Sequence, residues 1–493
     1  MISEPTETER QIAVVQERRA TSRLTRRASL GIALCAALYA FLRLWGLRAA
    51  VINDKFDEGV YLSLVQSVAA GTGRLYRDLM LCHPPGVVWA GAWLWPQVHG
   101  SLYALRLLYI AVCALGLIPM YAIARRVFGV QAALFTLFLL CASPGFANWL
   151  GRNIFLDPLL NVPLYAALWM LLCLPGKRAG VASGAGALLG LSYLIKETAV
   201  PAALSVCLAL LVAARLDRDR PGEIGRWTWL WMGLGFAVTF GLVLAALARI
   251  PGYLYYTFSL NAYAVRRWDL RSYELTTGFY ALPLPMTFGF LGTLLMALRP
   301  QSRAERFLGL FALVMTLLMV FVPKPFYWRY LTAAFPVFCM GVAVWWRRFL
   351  AKPRPAFARG LACTFLALFG LVHLASLVLY HTKESPNPPA YCTALQTLRD
   401  GPGPIFTLDP LWAPASGHPL IPIVQRLNRV TIDVPVTPAE YAAALAPCPT
   451  VVLDRENLRW LPPETVAAIR QQYRTVFRFQ SPGDRQYVEI LRR

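Results

Sequence analysis

The stretch that decides the fold runs from Phe56 to Gly86 and reads FDEGVYLSLVQSVAAGTGRLYRDLMLCHPPG. It lies between the apolar runs 29–48 and 101–124, and about 20 apolar residues suffice to cross a bilayer as a helix. Its acidic pair Asp57-Glu58 therefore lies at a membrane surface, where carboxylates are costly unless they are hydrated, capped or used. We interpret loop 49–100 as a candidate active centre.

The composition indicates a polytopic membrane protein. Hydrophobic residues make up 57% of the chain and charged residues 15%, against about 25% charged in soluble domains. The net charge of +22 does not favour nucleic-acid binding, because the basic residues cluster in short segments between apolar stretches. About eleven stretches qualify as transmembrane helices: 29–48, 101–124, 130–148, 154–174, 180–195, 198–215, 227–248, 279–298, 306–323, 327–346 and 358–380.

The basic residues predict the orientation. The N-terminal arm, residues 1–28, is polar and basic, and we expect it in the cytoplasm. An eleven-span count then places most of the basic clusters between spans on the same side, which ten or twelve spans would not. Loop 49–100 and the segment 381–493 are accordingly predicted to lie outside the cytoplasm, flanking a membrane domain of residues 29–380.

Residues 381–493 are predicted to form a small α/β domain. Strand-like runs at 405–408, 450–453, 476–479 and 487–491 alternate with helix-like runs at 390–399, 438–445 and 463–473. The domain follows the breaker-rich residues 385–389 and contains no nucleotide-binding glycine motif. Cys392 and Cys448 would be able to form a disulfide there in an oxidising compartment.

Two short helices are predicted in the large external loop. Residues 57–70 carry apolar side chains at helical spacing. Residues 87–95 form a second apolar run, too short to span, with three tryptophans of the kind that favour the headgroup level. We expect both helices to lie flat on the outer surface.

Two carboxylates are candidates for the chemistry. Asp57 is a candidate general base that accepts a proton from a hydroxyl, although an aspartate there can also cap the helix. Asp54 is available for that capping. Asp157 lies at the outer end of the fourth predicted span, where an N-cap before Pro158 is the alternative. Together with Glu58 these acids would orient groups, and Asp57 with Asp157 would be able to share a divalent cation.

Three basic side chains are candidates for holding a phosphate. Lys196 is a point charge at the outer end of the fifth span, unless it only reaches for the headgroups. Arg329 begins the tenth span and is suited to bidentate phosphate contact, or to interfacial anchoring among aromatic residues. His83 is held extended by the prolines that follow it, and a simple polar contact is its alternative.

The position of these residues is more informative than any one of them. Asp57, His83, Asp157, Lys196 and Arg329 come from different spans and loops. The predicted topology places all five on one membrane face, whereas unrelated anchors would be distributed over both faces.

The chain resembles the GT-C membrane glycosyltransferases, in the bacterial group near aminoarabinose–lipid A transferase and the protein O-mannosyltransferases. The resemblance rests on short motifs in order along residues 29–350: Asp57-Glu58, Tyr76-Arg77-Asp78, His83-Pro84-Pro85-Gly86, Arg106-Leu107, Arg125-Arg126-Val127-Phe128-Gly129, Ser143-Pro144, Asp157-Pro158, Gly190-Leu191, Lys196-Glu197 and Arg329-Tyr330.

That resemblance implies a multi-pass enzyme of the bacterial inner membrane. It implies a polyprenyl-phosphate-linked sugar as donor, a lipid, glycan or protein acceptor at the outer face, and inversion at the anomeric carbon. Asp57 takes the position of the family's base, and His83 stands where the family often has lysine before the two prolines. No certain cofactor is implied, apart from the possible divalent cation.

Two other classes of protein stay open from the sequence. A secondary transporter or a flippase for lipid-linked sugars would place charged residues near the bilayer midplane and break helices in matching halves. A non-catalytic membrane scaffold that presents residues 381–493 to partners would tolerate Asn or Gln at the acidic pair.

Overall fold

The fold was taken from a computed structural model of the full chain. It describes residues 27–45, 47, 56–146, 150–174, 178–217, 225, 227–260, 275–278, 282–321, 327–350, 355–383, 389–427, 434–480 and 487–493. Most of the basic arm, Asp54 and most of the breaker-rich linker lie outside the described residues.

A bundle of apolar helices forms the larger part of the molecule. Each of the eleven predicted spans overlaps a helix, and the helices run as follows: Arg27–Leu44, Leu102–Phe128, Val130–Ala142, Leu156–Cys173, Arg178–Ser192, Ala199–Leu216, Thr228–Ala248, Pro285–Gly289 continuing as Phe290–Leu298, Arg303–Phe321, Phe335–Leu350 and Ala356–Lys383. Shorter helical segments are Leu150–Arg152, Tyr255–Leu260 and Trp328–Ala333. The prediction of an all-α membrane bundle is confirmed.

Within the described residues, seven helices are long and apolar enough to cross a membrane. Val130–Ala142, Ala179–Ser192 and Pro285–Leu298 are apolar but shorter, and Phe335–Leu350 has 16 residues. Different ion pairs lie at the two ends of the helix Ala199–Leu216. Lys196 precedes the helix and pairs with Asp157. Asp217 follows it and pairs with Arg306 at 2.9 Å between Oδ2 and Nε. The count of eleven spans stays a prediction.

Both helices predicted in loop 49–100 are present. Phe56–Ala69, named here the acidic helix, carries Asp57 and Glu58 in its first turn. Gly86–Gln97 follows the two prolines, with Trp89 and Trp93 exposed as expected of headgroup-level residues. The acidic helix buries its apolar side against neighbouring helices of the bundle, in a cluster that includes Leu62, Leu64 and Val65.

The C-terminal domain is α/β as predicted. Its strands are β1 (Ile405–Phe406), β2 (Thr450–Asp454), β3 (Arg474–Gln480) and β4 (Tyr487–Arg492), in the order β1-β2-β4-β3. Only β1 and β2 are parallel to each other among these pairs. Its helices are Pro389–Arg399, Trp412–Ser416, Pro422–Leu427, Pro438–Leu445, Arg455–Trp460 and Pro463–Gln472.

The sequence predicted the four strands and three of the helices of this domain, and missed three short helices. The shortest of these, Trp412–Ser416, has 5 residues, which is too few to show a helical period. The possible disulfide is not formed: Cys392 is an exposed free thiol, and Cys448 is buried and also free. The Cys448 thiol instead donates to the carbonyl oxygen of Ala444 at 3.3 Å.

Candidate active site

A chain of ion pairs links four candidate residues at one end of the bundle. The guanidinium of Arg329 contacts Asp57 at 2.5 Å between Nη1 and Oδ2. Its Nε lies 3.9 Å from Oδ2 of Asp157. The other oxygen of Asp157, Oδ1, accepts from Nζ of Lys196 at 2.6 Å. The acidic helix, the helix Leu156–Cys173, the segment before Ala199 and the 3₁₀ turn Trp328–Ala333 therefore meet at one point.

The four side chains of this row of ion pairs differ in how deeply they are buried. Lys196 and Asp157 are almost fully buried, so Lys196 does not extend into the headgroups. Asp157 is also not a helix cap, because the N-cap of its helix is Phe155. Asp57 is more accessible, with a third of its side chain exposed (33%). A carboxylate that solvent and a ligand can reach therefore lies at the outer end of a buried row of charges.

Aromatic rings surround the two cations. Nζ of Lys196 lies 4.7 Å from the centre of the Tyr330 ring. The guanidinium carbon of Arg329 lies 4.6 Å from the Tyr327 ring and 5.7 Å from that of Phe155. Rings at these distances attract a cation, so the interfacial contacts expected for Arg329 coexist with its ion pairs.

His83 pairs with the carboxylate that follows Lys196. Its Nδ1 lies 2.9 Å and 3.1 Å from the two oxygens of Glu197. The backbone carbonyl of His83 accepts from the Tyr76 hydroxyl at 2.6 Å. With Nδ1 held by Glu197, the Nε2 of His83 is left to face another group, and a quarter of the side chain is exposed (25%).

The glycine of the His-Pro-Pro-Gly motif seats this segment on the bundle. The amide of Gly86 donates to the carbonyl of Leu194 at 2.9 Å. A Cβ at Gly86 would lie 2.5 Å from that same oxygen, closer than any side chain is accommodated. The close approach needs glycine, and it brings His83 beside Glu197.

Two groups between the ion pairs have shifted pKa values. Burial raises the pKa of Glu197, but the nearby charge of His83, its hydrogen bond and Lys196 outweigh that effect and lower the pKa to about 2. Burial, reinforced by the Asp57 carboxylate, raises the pKa of Tyr61 well above its ordinary range. The Tyr61 ring lies 6.1 Å from that of His83. Glu197 is thus a permanent anion and Tyr61 a permanent hydroxyl.

Glu58 is placed differently from Asp57. The helix turns by about 100° per residue, and Glu58 points into the protein, where it is fully buried. It accepts from Arg106 at 2.5 Å and 2.8 Å and from the backbone amide of Ile154 at 3.0 Å. Nη1 of Arg106 also donates to the carbonyl of Leu47 at 3.2 Å. These contacts favour a role for Glu58 in positioning the acidic helix.

The acids do not fit a divalent cation well in this arrangement. Asp57 and Asp157 already share the guanidinium of Arg329, and Asp157 is also bound to Lys196. A metal ion between the two carboxylates would have to displace the guanidinium of Arg329, which already supplies positive charge there. Among the described residues there is no group of three His, Cys, Asp or Glu side chains with metal-binding spacing.

The sequence identified the five residues but not all of their partners. Glu197 was recognised only as the neighbour of Lys196, and Arg106 only as part of a motif. Both lie far from their partners in sequence, since Glu197 is 114 positions from His83 and Arg106 is 48 positions from Glu58. For Arg106 the signal is the buried acid itself, because Glu58 requires a cationic partner once it is buried.

Comparison with known proteins supports the same fold. Residues 82–243 match the family model described as dolichyl-phosphate-mannose-protein mannosyltransferase. This matched segment contains His83, Asp157 and Lys196. No curated protein sequence matches the chain significantly.

Solved structures match almost the whole chain. ArnT from Cupriavidus metallidurans bound to undecaprenyl phosphate has a TM-score of 0.64 and 16% identity, covering 94% of this chain and 98% of that one. The apo state of the same protein has a TM-score of 0.65 and 18% identity, covering 95% and 98%. The archaeal oligosaccharyltransferase AglB from Archaeoglobus fulgidus, in complex with an inhibitory peptide and a dolichol-phosphate, has a TM-score of 0.54 and 14% identity, covering 93% and 74%.

At such low identity the likeness to these structures establishes the fold alone. The family match is a separate finding from the sequence, and it covers residues 82–243. The chain therefore has the overall fold of these solved membrane proteins, and its residues 82–243 carry a sequence match to the mannosyltransferase family model.

Proposed function

We propose that the protein transfers a sugar from a polyprenyl-phosphate carrier to an acceptor hydroxyl at the membrane surface, with inversion and with Asp57 as the base. The observation that carries the proposal is the row of ion pairs from Asp57 through Arg329 and Asp157 to Lys196. A reachable carboxylate beside two cations supplies both a proton acceptor and a phosphate site. The undecaprenyl phosphate in ArnT and the dolichol-phosphate in AglB support this class of carrier.

The balance of charges determines how a phosphate ligand would be accommodated. Asp57, Asp157 and Glu197 contribute three negative charges, while Lys196 and Arg329 contribute two positive ones. A carrier phosphate brings further negative charge, so its binding requires that one carboxylate release its cation. Of the two carboxylates bound to these cations, Asp57 is more exposed than Asp157, and it contacts the terminal Nη1 of Arg329. The phosphate therefore competes with Asp57 for Arg329.

Transfer then follows as one displacement. The phosphate of the donor takes the guanidinium of Arg329 and the ammonium of Lys196, and Asp57 is released. Asp57 accepts the proton of the acceptor hydroxyl while that oxygen bonds to the anomeric carbon. The bond from the anomeric carbon to the phosphate oxygen breaks, and the electron pair leaves with the carrier phosphate. Stabilising that departing charge is the larger part of the catalysis.

The remaining residues hold this arrangement in place. Asp157 orients Lys196 and Arg329, and Glu197 orients the ring of His83 toward the phosphate. Glu58 and Arg106 fix the first turn of the acidic helix, and with it Asp57. No step needs a nucleotide sugar or a bound metal ion.

The test is sugar transfer in reconstituted proteoliposomes. A panel of radiolabelled synthetic polyprenyl-phosphate sugars is supplied with membrane-lipid, glycan and peptide acceptors. We expect the unaltered protein to use one donor, and Asp57→Asn to lose transfer by about 10²–10⁴-fold, the usual contribution of a positioned base. Asp400→Asn is the matched control, because Asp400 is an exposed aspartate of the C-terminal domain.

Other outcomes would contradict the proposal in separate ways. Equal transfer by the unaltered protein and Asp57→Asn would remove Asp57 as the base. Donor that crosses the bilayer without being consumed would favour a flippase or secondary transporter. Absence of transfer and of transport with every donor would favour a scaffold.

A further inference from the structure

The C-terminal domain docks on the first external loop at several points. Ser67, near the end of the acidic helix, donates from its hydroxyl to the carbonyl of Leu420 at 3.2 Å. Leu411 of the C-terminal domain is buried within the same apolar cluster as the acidic helix. A Cβ at Gly59 would lie 2.6 Å from the amide nitrogen of Leu411. The domain therefore rests directly on the helix that carries Asp57.

The most specific contact comes from the docking helix, as we name Pro422–Leu427. The Gln425 side chain is fully buried and forms two hydrogen bonds with the backbone of Met80. Its Oε1 accepts from the Met80 amide at 2.7 Å, and its Nε2 donates to the Met80 carbonyl at 2.8 Å. The amide of Gln425 thus pairs with the chain as a neighbouring β-strand would.

Arg426 extends this contact along the loop. Its Nε donates to the carbonyl of Asp78 at 2.9 Å, and Nη2 donates to that of Arg77 at 2.8 Å. On the other flank of the domain, a cavity of about 730 Å³ separates residues 100–103 from residues 414–417. The directional contacts are thus concentrated on the backbone of residues 77–80.

This backbone leads directly to the candidate phosphate site. Met80 precedes His83 by three positions, and the carbonyl of His83 is bound by Tyr76. The segment is held at Tyr76 and His83 within the loop, at Met80 by Gln425, and at Gly86 by Leu194. The two prolines restrict the backbone that follows His83, so few positions are left that can absorb a displacement at Met80.

We propose that the C-terminal domain is part of the donor site, and that Gln425 is a positioning residue which places His83 for the donor phosphate by bracing Met80. The inference rests on the proposed transfer reaction. The inference gives the C-terminal domain a role in donor binding, separate from any contact with an acceptor. A residue that only stabilised the domain would not depend on His83, whereas the effect of Gln425 on donor KM requires the His83 side chain.

The experiment is a double-mutant cycle on the full-length protein in proteoliposomes. Donor KM and kcat are measured for the unaltered protein, Gln425→Ala, His83→Ala and the double variant. Loss of both hydrogen bonds to Met80 should raise donor KM by about tenfold, as one or two weakened polar contacts do, with a smaller change in kcat. In the absence of the His83 side chain, Gln425→Ala should change KM by less than twofold, because coupled residues are not additive.

The controls separate this inference from simple misfolding. Gln471→Ala replaces an exposed glutamine on the helix Pro463–Gln472 and should leave donor KM unchanged. Gel filtration and thermal unfolding in detergent show whether Gln425→Ala keeps its fold, and Gln425→Glu offers a second variant, which keeps the volume but replaces a donor with an acceptor facing the Met80 carbonyl.

Two results would overturn the inference. The first is an unchanged KM in both Gln425 variants, with transfer by the unaltered protein intact. The second is a cycle in which the two effects multiply in full, which would show that Gln425 acts independently of His83. If the unaltered protein transfers no sugar, the proposed function itself fails.

Discussion

At the scale of single residues, the resting site holds its candidate base in an ion pair. Asp57 lies 2.5 Å from Arg329, so its carboxylate is occupied by the guanidinium and not open to an acceptor hydroxyl. The same guanidinium is the natural ligand of a donor phosphate. Binding of the donor would thus convert Asp57 from a partner of Arg329 into a free base, and the acceptor hydroxyl would be activated only when a donor is present.

This exchange predicts that Asp57→Asn affects kcat and donor KM differently. We expect kcat to fall by about 10²–10⁴-fold, whereas donor KM stays the same or decreases, because Arg329 no longer has to leave a carboxylate. Steady-state kinetics with varied donor, together with direct binding of a non-transferable polyprenyl phosphate, measure both quantities. A large rise in donor KM with unchanged kcat would contradict the exchange.

The second residue-scale prediction concerns the charge at position 83. Glu197, with a pKa lowered to about 2, is anionic at neutral pH and lies 2.9 Å from Nδ1 of His83. Lysine carries a positive charge at neutral pH, so His83→Lys should have a lower donor KM than His83→Gln, which places an uncharged polar side chain at the same position.

Donor KM of the two variants and of the unaltered protein, measured side by side at neutral pH, tests that prediction. Equal donor KM in His83→Lys and His83→Gln would show that charge at position 83 does not act on the donor phosphate.

At the scale of elements, one buried ion pair anchors the acidic helix. Glu58 and Arg106 are each at most 1% exposed, so neither can be rehydrated if the other is removed. Arg106→Ala should lower stability by about 3–5 kcal/mol, the usual cost of an uncompensated buried charge. Transfer should fall with it, because the first turn also carries Asp57.

A paired replacement isolates the charge from the packing. The double variant Glu58→Gln with Arg106→Met removes both charges and keeps much of the volume, so it should unfold at a higher temperature than Arg106→Ala. Apparent Tm in detergent compares the two. A double variant as unstable as Arg106→Ala would show that packing, and not the charge, dominates at this site.

The turn into the helix Gly86–Gln97 yields a second prediction at this scale. Gly86→Ala would place a Cβ 2.5 Å from the carbonyl oxygen of Leu194, and relief of this contact shifts the segment that carries His83. We expect transfer to fall on the order of 100-fold, as misplacement by about 1 Å can cause. Gly180→Ala is the matched control, because a Cβ at Gly180 meets no atom within 4 Å. Equal activity of the two variants in the transfer assay would contradict this account.

At the scale of the whole molecule, the distribution of basic residues predicts which side the active end faces. Cys392 is an exposed free thiol of the C-terminal domain and serves as a reporter. A membrane-impermeant maleimide should label Cys392 in right-side-out spheroplasts and leave it unlabelled in intact inside-out vesicles. Cys392→Ser identifies the background from the other cysteines. Labelling only in the inside-out vesicles would reverse the predicted orientation.

The sequence predicted elements more completely than it predicted contacts. Helices such as Leu102–Phe128 and strands such as β2 follow from local hydrophobic patterns, and the five candidate residues followed from their position on one membrane face. Glu58 shows the limit: its neighbour Asp57 and its own charge suggested chemistry, yet its partner Arg106 comes from a separate helix. Gln425 carried no signal at all, since an amide that binds a distant backbone has no local pattern.

The contact between Gln425 and Met80 joins positions 345 residues apart, and this separation orders events during synthesis. At about 5–20 residues per second, Gln425 leaves the ribosome roughly 20–70 s after Met80. During that interval the loop that carries His83 lacks the contact between Gln425 and Met80. The nascent protein would thus reach its full affinity for the donor only when the docking helix has been made.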